Sequence, residues 1–79
     1  FPQVLINVPN VAKEKLSTSK AITDAVAKAE STLGDAGRVL LRASGTEPLI
    51  RVMVEASSDN LAQEIAASLA AVVKAELGN

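Results

Sequence analysis

The chain of 79 residues contains no cysteine and no histidine. Disulfides, thiolate metal sites and thiol catalysis are therefore excluded, and the commonest general base and transition-metal ligand is missing as well. Tryptophan and tyrosine are also absent and phenylalanine occurs once, so we expect an aliphatic core of Val, Leu and Ile. The chemistry of this chain has to come from hydroxyls, carboxylates, lysines and arginines.

Neither charge nor hydropathy indicates a nucleic-acid or membrane partner. The net charge is −1, and no apolar run approaches the roughly 20 residues that span a bilayer. No basic start followed by an apolar segment suggests a signal peptide. We expect residues 1–79 to form one small cytoplasmic domain. The absence of an initiator methionine and the early strand-like run favour a domain excised from a longer protein.

Three short apolar runs and two segments of helical period give the order β-α-β-β-α. Strands are predicted over 4–8, 38–42 and 49–55, with a polar loop over 9–18. One helix is predicted from Ser19, with a cap among residues 17–19, and stops at Gly34, and a second, capped by 57–60, ends at Gly78. The second and third strands are close in sequence and should pair as an antiparallel hairpin. The sequence therefore predicts an α+β two-layer sandwich, with both helices on one face of a small, mainly antiparallel sheet.

A polar loop between the last two strands carries the functional signal. Arg42 and Arg51 stand at its ends, Ser44 and Thr46 supply hydroxyls, and Gly45 is expected to allow a tight turn with an exposed N–H. All three arginines lie between positions 38 and 51, whereas the five lysines are scattered along the chain. Arginine grips two oxygens at once, and a glycine-containing turn can direct several N–H groups into one concavity. The loop therefore predicts a site for a doubly charged oxyanion such as phosphate.

A plain hairpin turn is the competing interpretation of the same residues, since hydroxyls in turns often bond to their own backbone. Arg38 is interpreted as a solvated strand-end charge, and residues 13–15 as a solvated loop. The aspartates are too dispersed to hold a metal ion. Glu47 would oppose a neighbouring anion, so we expect it to orient an arginine or to contact a sugar hydroxyl.

Residues 42–55, RASGTEPLIRVMVE, resemble the phosphate-binding loop of the α-D-phosphohexomutase superfamily. They are most similar to the version found in its bacterial phosphoglucosamine mutase branch. Residues 3–8 and 37–41 also resemble the last domain of that family. The resemblance therefore covers the whole chain, and the segment 37–55 is its most specific part.

Members of the superfamily have four domains, and the chain resembles the fourth, an antiparallel sheet backed by two helices. The resemblance implies a parent enzyme, an isomerase, that interconverts glucosamine 6-phosphate and glucosamine 1-phosphate through a phosphoserine and a bisphosphorylated sugar, for amino-sugar and cell-wall precursor biosynthesis. It implies that the substrate's non-reacting phosphate is held by Arg42, Ser44, Gly45, Thr46 and Arg51. The phosphoserine, the aspartates that hold Mg²⁺ and the sugar-specificity loop would lie outside this chain. The isolated domain, with no catalytic residue or cofactor of its own, is therefore expected to be inactive.

Three other functions remain open at this stage. Gly45 and Glu47 favour the glucosamine branch, but the same domain of a phosphomannomutase/phosphoglucomutase is an alternative. A free-standing anion- or RNA-binding module would need aromatic platforms and a basic surface, which the composition does not supply. The third open function is that of a pure interaction domain. The expected partners are a phosphosugar substrate and the other domains of the parent.

Overall fold

The computed structural model describes residues 1–78, and Asn79, the last residue of the predicted domain, lies outside them. The elements follow in the order β1 (Gln3–Pro9), a 3₁₀ helix (Lys13–Thr18), α1 (Lys20–Leu33), a 3₁₀ turn (Gly34–Ala36), β2 (Arg38–Ala43), β3 (Leu49–Glu55) and α2 (Asp59–Leu77). The predicted order of strands and helices is confirmed. Among the described residues, no helix is both long and apolar enough to cross a membrane.

The sheet has three strands in the order β1-β3-β2, and β3 pairs antiparallel with both neighbours. The predicted β2–β3 hairpin is therefore confirmed. Alternate residues of β3 point to opposite faces, and Ile50, Val52 and Val54 are completely buried. The outer face of the sheet carries Arg51 and Glu55.

Both helices begin at serine caps and pack on the inner face of the sheet. Ser19 Oγ accepts a hydrogen bond from the Ile22 N–H at 3.3 Å, and Ser58 Oγ accepts one from the Leu61 N–H at 3.2 Å, which satisfies N–H groups that a helix start leaves free. Gly34 ends α1 with a left-handed φ of 56°. The buried helical residues are Ile22, Ala29 and Leu33 in α1 and Ala62, Ile65, Ala66, Leu69, Val73 and Leu77 in α2. The predicted α+β two-layer sandwich is confirmed.

The segment predicted as a polar loop over 9–18 is more ordered than the sequence indicates. Its second half forms the 3₁₀ helix, and residues 10–13, which we call the strap, run from the end of β1 into that helix. Asn10 reverses the chain with a φ of 58°, and Val11 is only 2 % exposed. A single buried valine among polar residues leaves no periodic pattern, so its burial depends on tertiary packing and not on a local signal.

Candidate functional site

The register of the hairpin sets Arg42 and Arg51 directly opposite each other on β2 and β3. Both side chains belong to the outer face of the sheet, and both residues are exposed. Directly opposed residues in an antiparallel pair hold their Cβ atoms roughly 4.5–5.5 Å apart, where like charges destabilise the pair. The structure thus places two arginines side by side at the mouth of the polar loop.

The backbone of the loop closes around the hydroxyl of Ser44. The Ser44 N–H donates to the carbonyl of Leu49 at 2.9 Å, and the Leu49 N–H donates to the carbonyl of Glu47 at 2.8 Å. Ser44 Oγ accepts from the N–H groups of both Thr46 and Glu47 at 3.3 Å. The turn interpretation therefore describes Ser44 correctly in this structure. These two bonds are long for N–H···O contacts, and the two N–H groups converge on one point, as in a backbone anion nest.

Gly45 occupies an unobstructed position in the loop. Its φ lies outside the left-handed region, and a Cβ built on it would meet no heavy atom within 4 Å. The loop as it stands imposes no positive φ at this position and has room for a Cβ, so the packing of the chain on itself does not require glycine here. The open space beside the backbone leaves room for a group that approaches Gly45 from outside.

A concavity of about 240 Å³ lies at this end of the hairpin, and it is lined by Arg42, Ala43, Ser44, Gly45 and Arg51. Four of the five predicted phosphate ligands therefore share one surface depression. Thr46 and Glu47 are exposed and lie outside this lining, and Thr46 is connected to it by the hydrogen bond from its N–H to Ser44 Oγ. A larger groove of about 410 Å³ between α1 and α2 contains no arginine and is lined mostly by Ala, Leu, Ile and Val.

The two site arginines have no carboxylate partner among residues 1–78. The ion pairs there are Lys20 with Asp24, at 3.4 Å, and Arg38 with Glu55, at 3.6 Å. Glu47 forms no ion pair with a site arginine in that range, so its orienting role remains a prediction. The interpretation of Arg38 as a solvated strand-end charge is incomplete, since it is exposed and also pairs across the hairpin.

Lys13 is a residue of the site that the sequence did not reveal. Its Nζ donates a hydrogen bond to the backbone carbonyl of Ser44, and the residue is half-buried. The interpretation of residues 13–15 as a solvated loop is therefore wrong for Lys13, while Lys15 is exposed as expected. No local signal distinguishes the two lysines, because the contact depends on the path of the strap.

Within the described residues, no group of three or more His, Cys, Asp or Glu side chains is placed to hold a metal ion. These residues therefore do not fit the Mg²⁺ site that the resemblance implies for the parent. What the arrangement offers is two guanidinium groups, a lysine and converging N–H groups. Such a set can bind and orient an anion.

Comparisons with known proteins identify the family of the chain. The family described as "Phosphoglucomutase/phosphomannomutase, C-terminal domain" matches residues 5–72. A phosphoglucosamine mutase of Bifidobacterium longum is 60% identical over 77 residues, which cover 98% of the chain and 17% of that relative. The chain thus spans a small fraction of the length of the curated relatives that it matches.

Two crystal structures of Aspergillus fumigatus N-acetylphosphoglucosamine mutase share the fold. The complex with glucose 1,6-bisphosphate matches with a TM-score of 0.82 and 26% identity, covering 99% of this chain and 16% of that one. The complex with GlcNAc-6P and magnesium matches with a TM-score of 0.78 and 27% identity, covering 94% and 15%. The chain therefore belongs to the family of phosphoglucomutase/phosphomannomutase C-terminal domains, within the α-D-phosphohexomutase superfamily that its sequence resembles.

Proposed function

We propose that this chain is the substrate-phosphate-binding lid domain of a phosphoglucosamine mutase, the last of four domains in its parent. In this proposal the non-reacting phosphate of the sugar is held by Arg42, Ser44, Gly45, Thr46 and Arg51. The observation that carries it is the opposed arginine pair, which has no carboxylate partner among residues 1–78. An anion between the two guanidinium groups would turn their repulsion into two charge-assisted, bidentate contacts.

The loop would complete the anion site with neutral donors. The N–H groups of Thr46 and Glu47 already converge on Ser44 Oγ, and Gly45 has open space beside its backbone. All of these groups are exposed or only partly buried, so we expect weak, salt-sensitive binding by the chain alone. Closure of the parent over its substrate would exclude water and strengthen the same contacts.

A mutase has a specific use for such an anchor. The bisphosphorylated intermediate must present either end of the sugar to one serine, so the idle phosphate needs a site that tolerates both orientations. Binding energy from this remote group positions the reacting end without direct participation in the chemistry. The chain's own residues would bind and orient the substrate, and the phosphoserine would belong to another domain.

The proposal also includes the Mg²⁺ ion and the cellular location of the parent enzyme. Mg²⁺ supplies charge neutralisation for phosphoryl transfer when it is bound, and we expect it on residues of the parent outside this chain. One solved relative was crystallised with magnesium and GlcNAc-6P. A cytoplasmic location is expected because charged sugar phosphates do not cross a bilayer unaided.

The glucosamine branch is favoured over the phosphomannomutase/phosphoglucomutase alternative by the 60% identity to a curated phosphoglucosamine mutase. Turnover measurements of the full-length parent on glucosamine, glucose and mannose 6-phosphates decide between them. A preference for either neutral sugar would replace the substrate in this proposal and leave the phosphate anchor intact.

The anchor itself is tested by titrating the chain with inorganic phosphate and with glucosamine 6-phosphate while backbone amide NMR shifts are followed. We expect saturable shifts confined to residues 42–51 that weaken with added salt, and their loss in Arg42→Ala. Arg38→Ala is the matched control, because it removes the same charge from the same strand at the Glu55 pair. It should leave binding unchanged.

If the chain alone binds phosphate too weakly to measure, the kinetics of the full-length parent test the anchor instead. Arg42→Ala should lower kcat/KM about 100-fold, roughly 2.7 kcal/mol of transition-state stabilisation, and Arg38→Ala should stay near the unsubstituted value. Unchanged kinetics for both Arg42→Ala and Arg51→Ala would show that the loop is only a turn.

A further inference from the structure

We propose that Lys13 is a positioning residue of the anion site and that the strap is the brace that holds the phosphate loop in its binding geometry. The inference rests on the proposed function, since it assigns a role within the same site. It begins from one contact, the hydrogen bond from Lys13 Nζ to the backbone carbonyl of Ser44.

The strap holds the loop at both of its ends. Lys13 binds the carbonyl of Ser44, the first residue of the loop. The Val11 N–H donates to the carbonyl of Pro48, the last residue of the loop, at 3.1 Å. One short segment therefore fixes both ends of the loop, although Lys13 and Ser44 are 31 positions apart along the chain.

The strap is itself fixed to the core and to the end of α2. Val11 is 2 % exposed and forms an isolated bridge with Gly78. The Ala12 N–H donates to the carbonyl of Leu77 at 2.8 Å. The ammonium of a lysine on a mobile surface loop would remain in water. The two residues that precede Lys13 are held in place, so its side chain starts from a fixed backbone.

The contact has a directional consequence for the next peptide group. The carbonyl of Ser44 and the N–H of Gly45 belong to the same planar trans peptide, so they point in opposite directions. Lys13 therefore fixes the direction of the Gly45 N–H, which has no hydrogen-bond partner among the described residues. A cation on the carbonyl also polarises the peptide and makes its N–H a stronger donor.

Lys13 thus holds the Gly45 N–H as a donor in a fixed direction, on the side of the peptide that faces away from Lys13. Its charge adds to those of Arg42 and Arg51 at the same end of the sheet. The three cations would act differently, because the arginines contact the anion and the lysine acts through the peptide.

Inorganic phosphate titration of the chain tests this role with Lys13→Met and Lys15→Met as a matched pair. The two variants lose the same charge from the same 3₁₀ helix, but Lys15 is exposed and its side chain has no hydrogen bond in the described part of the chain. Lys13→Met should weaken phosphate binding about tenfold, the lower end for loss of a charged hydrogen bond. Lys15→Met should change it less than about twofold, as expected for a distant exposed charge.

Two further readouts separate positioning from mere stability. Lys13→Arg keeps a cationic donor and should retain most of the affinity, whereas Lys13→Gln should resemble Lys13→Met. Without phosphate, amide hydrogen exchange at Ser44 and Thr46, whose N–H groups are hydrogen-bonded within the loop, should accelerate in Lys13→Met while the core amides of β3 stay protected. If Lys13→Met does not fold, the Arg and Gln variants carry the comparison.

The inference is wrong if Lys13→Met binds phosphate as the unsubstituted chain does, or if both lysine variants weaken it equally. In the full-length parent the corresponding expectation is a KM for glucosamine 6-phosphate raised about tenfold, with no change for Lys15→Met. Loss of activity in Arg42→Ala with none in Lys13→Met would refute the brace and leave the anchor standing. Insensitivity of the parent to both Arg42→Ala and Arg51→Ala would refute the proposed function itself.

Discussion

The two ends of the β2–β3 hairpin use the same residue type in opposite ways. At one end Arg38 pairs with Glu55 at 3.6 Å, and Gln3 Nε2 donates to the same carboxylate at 3.0 Å. At the other end Arg42 faces Arg51, and neither has a carboxylate partner within residues 1–78. Arg42 follows Arg38 by four positions on β2, which is about 13 Å along a strand.

The difference teaches how to distinguish an arginine that serves the fold from one that serves a ligand. The Arg38 end cancels its charge within the chain, so nothing is left for a ligand to neutralise. The Arg42 end keeps two like charges side by side, an arrangement that destabilises a strand pair. The missing counter-charge has to come from outside the chain, and the concavity beside these arginines is where it would bind.

The glycines follow the same division. A Cβ on Gly37, at the Arg38 end, would lie 2.0 Å from the backbone oxygen of Glu55, whereas a Cβ on Gly45, at the Arg42 end, would meet nothing within 4 Å. One glycine is required by the packing of the chain on itself. The other has no such reason, and the proposed anion supplies one.

The largest expected effect is the loss of stability in Gly37→Ala. The new methyl group would collide with backbone and not with a flexible side chain, so β2 and β3 would have to separate at that end. We expect a loss of about 3 kcal/mol in the free energy of unfolding, the upper part of the usual range for overpacking. Urea denaturation of the chain measures it, and a loss below about 1 kcal/mol would show that the strands adjust easily.

Gly45→Ala should have the reverse profile, with stability retained and phosphate binding weakened. The methyl group would fill space that is empty in the chain but that an anion at the Gly45 backbone would need. We expect about tenfold weaker phosphate binding, close to 1.4 kcal/mol, and a stability unchanged or raised by up to about 1 kcal/mol through the unfolded state.

Phosphate titration and urea denaturation of the same Gly45→Ala sample check both halves of this prediction. Unchanged affinity would mean that the anion does not approach this part of the backbone. A large loss of stability would mean that the loop needs glycine for its own conformation.

Much of this fold is predictable from local patterns. The alternation around Ile50, Val52 and Val54 gives the buried face of β3, and the residue types from 42 to 51 predict the site loop. The burial of Val11 and the contact of Lys13 are not predictable, because both depend on the strap meeting residues far along the chain. The sequence predicts that Gly45 allows a turn, and only the structure shows that its φ is ordinary and that space is open beside its backbone.

The smallest expected effect is a change in the free energy of unfolding that has opposite signs in Arg42→Gln and Arg38→Gln. Glutamine keeps much of the arginine stem and removes the charge, so Arg42→Gln should relieve repulsion and raise the free energy of unfolding by about 0.5 kcal/mol. Arg38→Gln should lower it by a similar amount, since it loses an exposed pair that is worth at most about 1 kcal/mol.

Urea denaturation in phosphate-free buffer at low salt measures this difference, which should shrink as salt screens the exposed charges. Saturating phosphate should then raise the free energy of unfolding of the unsubstituted chain and of Arg38→Gln by mass action, but not that of Arg42→Gln. Arg42→Gln, the most stable of the three without phosphate, should become the least stable with it. If Arg42→Gln is destabilised in phosphate-free buffer, as Arg38→Gln is, the arginine pair has a compensation of its own within the chain. The contrast between the two ends of the hairpin would then no longer argue for a ligand.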